Sequence, residues 1–140
     1  MKKKKKRDPI KTLKNRCEKL WKEVCRLRDD NECQARYFYG PHVCDGIIQV
    51  DHAFSRTNSK LFFDIRNGTT LCRSFHCMKT NKNMGAEKAV DDFVKNREGS
   101  EWWDEATKIV RSKSPYKWNI IELEQLEISL KEKRAEYLGK

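Results

Sequence analysis

No apolar run in this 140-residue chain approaches the roughly 20 residues that a membrane-spanning helix requires. An apolar segment is also missing after the basic stretch KKKKKR, where DPIKTLKNR stands, so this end does not have the pattern of a secretory signal. No internal repeat is visible, and no heptad pattern continues beyond about two heptads. We therefore expect a soluble, cytoplasmic protein with no membrane partner.

Acidic residues are scarce in the first part of the chain. The formal net charge is +10, and residues 1–36 carry 14 basic and 6 acidic side chains against 17 and 15 in residues 37–140. So dense a basic stretch stays unfolded and attracts a polyanion by releasing counterions. We expect residues 1–8 to be a disordered basic arm, with a merely solubilising tail as the alternative. The side chains expected to bind nucleic acid there are Lys3, Lys4, Lys5 and Arg7.

Apolar residues are not abundant either, at 37%, the same share as charged residues. Such a chain buries only a modest core, and a structural metal ion would help to stabilise it. The length favours one domain. We expect this domain to span residues 9–140, with its core at about 31–84 and a helical part at 86–138.

Apolar spacing predicts an α+β fold. Steps of three and four over residues 9–30 indicate a helix. The IIQV segment at 47–50 is typical of a short strand, and residues 60–71 of a second extended segment with a turn at Asn67–Gly68. The expected core is thus a β-hairpin followed by a helix.

The C-terminal half is predicted to be helical. A short helix is expected to end near Gly85, and another to surround residues 89–94. The next is expected to have its N-cap at Ser100 and to bury its two tryptophans, and the last to run from Asn119 to about Tyr137. The apolar stripe of this last helix is expected to cover the domain, and it is the candidate contact for a homodimer.

Paired CxxC motifs are missing, although the chain has six cysteines. Cys17 and Cys25 fall in the first predicted helix, where small buried hydrophobes are expected. Four thiolates could hold a structural zinc ion. The candidates flank an acid–histidine pair and are Cys33, Cys44, Cys72 and Cys77. Buried free cysteines, or His42 in place of one thiolate, are the alternatives.

Four polar residues between the cysteines suggest phosphodiester chemistry. They are Asp51, His52, Asn67 and His76. Hydrolysis at neutral pH needs a base to activate water and a cation to stabilise negative charge, tasks that suit histidine and a carboxylate-bound metal ion. Singly, Asp51 could cap a turn, His52 could be a partly buried histidine, and Asn67 could be a turn residue.

The motif VDHAFSR followed by DIRNGTTLCRSFH resembles the HNH endonucleases, which have a ββα-metal finger. The segments KLWKEVCRLRD and LFFDIRNG are similar to phage recombination nucleases of the NinG (Rap) type, so the resemblance covers roughly residues 16–82. The resemblance implies that Asp51 and His76 bind a catalytic metal ion, that His52 is the general base, and that Asn67 holds the loop that orients His52. A phage origin, and so a host-cell cytoplasm, is implied by the resemblance alone.

The chain departs from that family at three positions. Arg36 and Phe75 stand where second cysteines are usual, and Thr80 stands where a further histidine could bind the metal ion. With fewer protein ligands, the catalytic ion is expected to be Mg²⁺ or Mn²⁺.

The expected function is a metal-dependent DNA endonuclease that nicks one strand with little sequence preference, because its DNA contacts reach the backbone rather than the bases. Additional backbone contacts are expected from Arg56, Arg66 and Lys79. The alternative is a non-catalytic nucleic-acid-binding zinc module that assists recombination. A basic RNA-associated protein is a third interpretation, which rests on charge alone.

Overall fold

The computed structural model describes residues 2–42, 44–55, 59–81, 83–112 and 115–139. Within them lie six helices, two strands and one short 3₁₀ helix, so the fold is α+β. The elements are α1 (Pro9–Arg28), α2 (Ala35–Phe38), β1 (Ile48–His52), the 3₁₀ helix (Ile65–Asn67), β2 (Gly68–Cys72), α3 (Arg73–Thr80), α4 (Met84–Glu98), α5 (Ser100–Arg111) and α6 (Ile120–Leu138). No helix in these ranges is both long and apolar enough to cross a membrane.

Helix α1 forms where the apolar spacing predicts it. Pro9 begins the helix, where its missing N–H is not needed, and the Asp8 carboxylate caps it by accepting a hydrogen bond from the Ile10 amide at 3.0 Å. The buried stripe of the helix consists of Leu13, Cys17, Leu20, Trp21, Val24 and Cys25. The prediction of buried Cys17 and Cys25 is confirmed.

Helix α6 packs along α1. Its first turn is closed by a capping box, in which Asn119 and Glu122 each bond the other's backbone amide. Leu123 and Leu130 are buried against α1, so the prediction that this stripe covers the domain is confirmed. On other sides of the helix Ile121 and Ile128 remain exposed, and a homodimer contact there stays a prediction.

The strands pair antiparallel, with Asp51 opposite Thr69 and His52 opposite Gly68. The prediction of an extended segment over 60–71 is confirmed for residues 68–71, which lie in β2, and wrong for residues 60–67. Residues 59–63 form turns, the 3₁₀ helix follows, and β2 begins only at Gly68. Asn67 is not in a two-residue hairpin turn, because its side chain is buried and bonds backbone groups of the β1–β2 connection.

The bounds of the first three helices after β2 differ from those predicted. α3 ends at Thr80, and Gly85 lies in the first turn of α4 rather than at the end of α3. Gly99, with φ +95°, takes the N-cap position of α5 that was predicted for Ser100. The two tryptophans of α5, Trp102 and Trp103, are only partly buried and pack against the edge of the core, since α5 contacts the rest of the fold along α4.

The core consists of two apolar clusters with β2 between them. One joins α1 and α6 to Phe63, and the other joins β2 to α2, α3 and α4. All five residues of β2 are buried. Arg28 of α1 and Arg97 of α4 both donate hydrogen bonds to the Gly68 carbonyl, at 2.6 and 3.0 Å. The start of β2 is therefore fixed from both sides.

Replacing Gly68 by alanine is expected to destabilise the fold. A Cβ at this position would lie 2.5 Å from Cys25 Sγ and 2.8 Å from Trp21 Cζ2, both buried in the core. Overpacking of this kind typically costs about 1–3 kcal/mol, which urea denaturation can measure. Gly85→Ala is the matched control, because the nearest atom there is the Asn83 side-chain oxygen at 3.4 Å. Equal losses of stability in the two variants would contradict the prediction.

Candidate metal centre and polar cleft

The acid–histidine pair lies at the end of β1. Adjacent strand residues point to opposite sides, so Asp51 faces α3 while His52 faces α1. Both nevertheless border one cleft of about 550 Å³, because the chain turns away directly after His52. The cleft is lined by Val50, Asp51, His52, Ala53, Ser55, His76, Lys79, Thr80 and Glu87.

Asp51 is buried among cationic and polar groups of α3. Its Oδ1 lies 3.4 Å from His76 Nε2, and its Oδ2 lies 2.5 Å from Lys79 Nζ. Lys79 also donates a hydrogen bond of 2.9 Å to the His52 carbonyl. The side chain of Lys79 is only 10% exposed. Sequence reasoning assigned Lys79 to the DNA backbone, whereas the structure places it inside the cleft on the predicted metal ligand.

The His52 ring is held between two aromatic rings. It stacks on Trp21 with 4.1 Å between ring centroids and on Phe62 with 4.5 Å. Its Nε2 lies 3.0 Å from the Phe62 carbonyl oxygen, which can only accept, so Nε2 carries the proton and Nδ1 keeps a lone pair. Burial lowers the pKa of His52 below its ordinary 6.5, although the Phe62 carbonyl and the Asp51 charge act in the opposite direction. His52 is therefore neutral at pH 7 and able to accept a proton.

Asn67 is fully buried beneath this site. Its Oδ1 accepts a hydrogen bond from the Phe54 amide at 2.8 Å, and its Nδ2 donates to the Phe54 and Leu61 carbonyls at 3.0 and 3.2 Å. These bonds join the two ends of the β1–β2 connection. Because Phe62 follows Leu61 directly, Asn67 also fixes the carbonyl that holds His52.

Two acidic residues of α4 face the same region, and sequence reasoning missed both. Glu87 lines the cleft, and Asp91 lies one helical turn further along. Burial raises the pKa of Asp91 to about 6, while the nearby Lys79 charge acts to lower it. Glu87 and Asp91 are four residues apart, which places them on one side of a helix, and this spacing is the sequence signal that could have found them.

The second group of functional side chains is a cluster of Cys33, His42, Cys44 and Cys72. Their ligand atoms all lie within 4.8 Å of one another. His42 Nε2 is 3.6 Å from Cys33 Sγ and 3.5 Å from Cys72 Sγ. A tetrahedral zinc ion with bonds of about 2.3 Å to sulfur and 2.0–2.1 Å to nitrogen places these atoms about 3.5 Å apart. The cluster therefore fits a structural metal such as zinc.

The environment of the cluster also suits a cation. His42 Nδ1 lies 3.1 Å from the Gly40 carbonyl, which assigns the proton to Nδ1 and leaves the Nε2 lone pair for a metal ion. Burial raises the pKa of the Cys72 thiol to about 11. A hydrogen bond with the Gly46 backbone lowers the pKa of Cys44, and so does the Arg36 guanidinium, 3.8 Å from its sulfur. A bound cation would compensate for the burial of thiolates here.

Cys77 does not belong to the cluster. It is exposed on α3, whereas Cys72 is buried at the N-cap of that helix. Five helical positions correspond to more than one turn and to about 7.5 Å along the axis, so the two sulfurs cannot share a metal ion. His42, the alternative ligand, is the fourth member of the cluster in place of Cys77. Phe75 packs against the His42 ring.

The predicted DNA-contacting residues lie in different environments. The N-terminal basic side chains Lys3, Lys4, Lys5 and Arg7 are exposed. The Arg66 side chain is half exposed, and its Nη2 lies 2.7 Å from Asp64 Oδ2. Its guanidinium also lies over the Trp102 ring. Arg56 lies outside the described residues.

Comparisons of the chain with protein-family models, with curated proteins and with solved structures found no match. The functional argument therefore rests on two arrangements. One is a Cys₃His cluster that could hold a structural metal such as zinc. The other is a polar cleft that brings Asp51, His52 and His76 together.

Proposed function

We propose that this protein is a metal-dependent DNA endonuclease of the HNH type, which hydrolyses phosphodiester bonds and nicks one strand. The observation that carries the proposal is the cleft at the end of β1. There a neutral histidine in a fixed tautomer stands beside a carboxylate and a second histidine. A base and a cation site on one cleft are what phosphodiester hydrolysis requires.

The donors beside the cleft fit a catalytic Mg²⁺ or Mn²⁺ ion. Asp51 Oδ1 and His76 Nε2 lie 3.4 Å apart. Adjacent ligands of an octahedral ion at about 2.0–2.1 Å are separated by about 3 Å, so a small closure would let both bind it. When bound, such an ion stabilises negative charge on the phosphate and on the leaving oxygen.

The chain itself would supply the base and its positioning. His52 would accept a proton from the attacking water at Nδ1, because Nε2 is engaged with the Phe62 carbonyl. Trp21 and Phe62 prevent the ring from turning, and Asn67 holds the loop that carries Phe62. The exposed basic N-terminal residues would bind the DNA backbone without reading bases.

The Cys₃His cluster would contribute by joining the elements that carry the cleft residues. Cys72 is both a member of the cluster and the N-cap of α3, the helix that carries His76. Cys44 precedes β1, which carries Asp51 and His52. A zinc ion bound there would hold the start of α3 against the chain that leads into β1.

A nicking assay on supercoiled plasmid tests the proposal. Purified protein is incubated in Mg²⁺, Mn²⁺ or EDTA, and open circles are expected with either metal ion but not in EDTA. Asp51→Asn should lose cleavage, because it removes the charged metal ligand with little change in shape. Asp104→Asn, at an exposed position of α5, should cleave as the original protein does. Absence of cleavage in every metal ion, or equal cleavage by both variants, would overturn the proposal.

The second candidate function is a non-catalytic nucleic-acid-binding zinc module. The observation in its favour is the Lys79 ammonium, which neutralises the Asp51 carboxylate without any metal ion. Such a protein would shift DNA in a gel and carry zinc, but would leave plasmid intact in every metal ion.

A further inference from the structure

We propose that Lys79 is an internal cation that competes with the catalytic metal ion for the Asp51 carboxylate and leaves Asp51 when that ion binds. Lys79 would thereby set the metal affinity of the cleft. This inference rests on the proposed function, and it concerns a residue that the mechanism above does not use.

The Lys79 ammonium lies between two oxygen acceptors. Lys79 Nζ contacts Asp51 Oδ2 at 2.5 Å and the His52 carbonyl oxygen at 2.9 Å. A carboxylate and a backbone carbonyl are the oxygen donors that a hard divalent cation selects. The ammonium therefore already uses part of the coordination that a metal ion would need.

Charge repulsion also opposes binding of both cations to Asp51. An ammonium and a divalent cation on one carboxylate would lie only a few ångströms apart in a partly buried site, where repulsion is only weakly screened. Because Asp51 is buried, its carboxylate is not fully hydrated, and water does not screen the ammonium and the metal ion from each other. The Lys79 ammonium and a metal ion therefore compete for this carboxylate, and each weakens the binding of the other.

The displaced ammonium can move towards acidic side chains of α4. Glu87 lines the same cleft, and Asp91 lies close enough for the Lys79 charge to act on its pKa. Among the described residues, neither acid has an ion-pair partner. The lysine stem is long and flexible, so its ammonium can move from β1 towards α4 while staying in the cleft.

Removing the ammonium should therefore strengthen metal binding. A hydrogen bond between charged groups that is lost on displacement corresponds to about a 10- to 100-fold change in affinity. Lys79→Met keeps the length and apolar contacts of the stem but has no charge. We expect Lys79→Met to bind Mn²⁺ about 10- to 100-fold more tightly than the original protein.

The experiment measures free Mn²⁺ by its electron paramagnetic resonance signal during titration of the zinc-loaded protein. The variants are Lys79→Met, Asp51→Asn and the control Lys88→Met, whose lysine is exposed on α4. Lys88→Met should bind as the original protein does, and Asp51→Asn should lose the site. Without Mn²⁺, Lys79→Met should melt at a lower temperature, because its buried Asp51 has lost a partner, and Mn²⁺ should raise its Tm by more than it raises that of the original protein.

The possible failures are distinguishable. Equal or weaker Mn²⁺ binding by Lys79→Met, with binding still lost in Asp51→Asn, overturns the role of Lys79 and leaves the nuclease proposal intact. Mn²⁺ binding that Asp51→Asn does not reduce, or no binding to any of the proteins, overturns both.

A measurement on the original protein covers the case in which Lys79→Met does not fold. An ammonium held by a buried carboxylate exchanges slowly and gives a ¹⁵Nζ signal, which Lys79→Arg assigns by its disappearance. Titration with Mg²⁺ should move that signal in step with metal binding. A signal that stays unchanged while Mg²⁺ binds overturns the inference.

Discussion

Replacement of Cys72 by serine should abolish stoichiometric zinc binding and strongly destabilise the protein. Structural zinc sites in small peptides contribute about 10–16 kcal/mol, or on the order of 3 kcal/mol per ligand. Cys72 has a second role, because its sulfur accepts a hydrogen bond from the Phe75 amide at 3.3 Å and so caps α3. Serine is a preferred N-cap residue and can keep this hydrogen bond, so the loss of stability in Cys72→Ser reports the lost zinc ligand rather than a lost cap. Metal analysis of the purified protein and its Tm with and without a chelator check this result.

The matched variants decide which residues bind the ion. His42→Ala should also lose zinc, because the His42 nitrogen lies 3.5 and 3.6 Å from two of the sulfurs. Cys77→Ala should retain one zinc ion per chain, because Cys77 is exposed and outside the cluster. Loss of zinc in Cys77→Ala together with its retention in His42→Ala would contradict the cluster and favour the four-cysteine set.

Local signals were sufficient to predict the long helices. For α1 and α6 the apolar spacing, the Asp8 cap and the Asn119 capping box all favour the same element, and each helix buries its stripe against the other. The signals that define each helix are local, although the two helices pack against each other across the length of the chain. Their bounds could therefore be predicted to within about two residues.

The β1–β2 connection could not be predicted, because tertiary contacts determine it. An Asn–Gly pair after an apolar run is the usual signal of a tight hairpin turn. Here Asn67 is buried and bonds the backbone of Phe54 and Leu61, while Gly68 lies against Trp21 and Cys25. None of these partners is adjacent in sequence, so the local pattern favoured the wrong structure.

The polar sites show the same limit. Asp51 and His52 are adjacent in sequence at the end of β1, and the cleft contains both. Whether Cys77 could be the fourth ligand of the metal cluster depends on where α3 begins. The start of the helix sets the side of it on which Cys77 lies. The placement of Lys79 beside Asp51 likewise depends on how α3 packs against β1, which spacing alone does not specify.

Replacement of His52 by phenylalanine should reduce DNA cleavage by about 10²- to 10⁴-fold, the usual contribution of a general base. Phenylalanine fills the space between Trp21 and Phe62 with another planar ring but has no lone pair. One hydrogen bond, that to the Phe62 carbonyl, is lost, so the expected loss of stability is only about 1 kcal/mol. DNA binding in a gel-shift assay should be unchanged, since the exposed basic residues are untouched.

His52→Ala provides the complementary test, because it leaves a slot between two stacked rings instead of filling it. Added imidazole fits that slot and should restore part of the cleavage in His52→Ala, whereas in His52→Phe the slot is occupied and no rescue is expected. A merely structural role for His52 predicts the reverse order: His52→Phe, which keeps the packing, would cleave normally, and His52→Ala would fail through loss of stability. The pair of variants therefore separates proton transfer from packing at one position, and normal cleavage by His52→Phe would remove His52 from the mechanism.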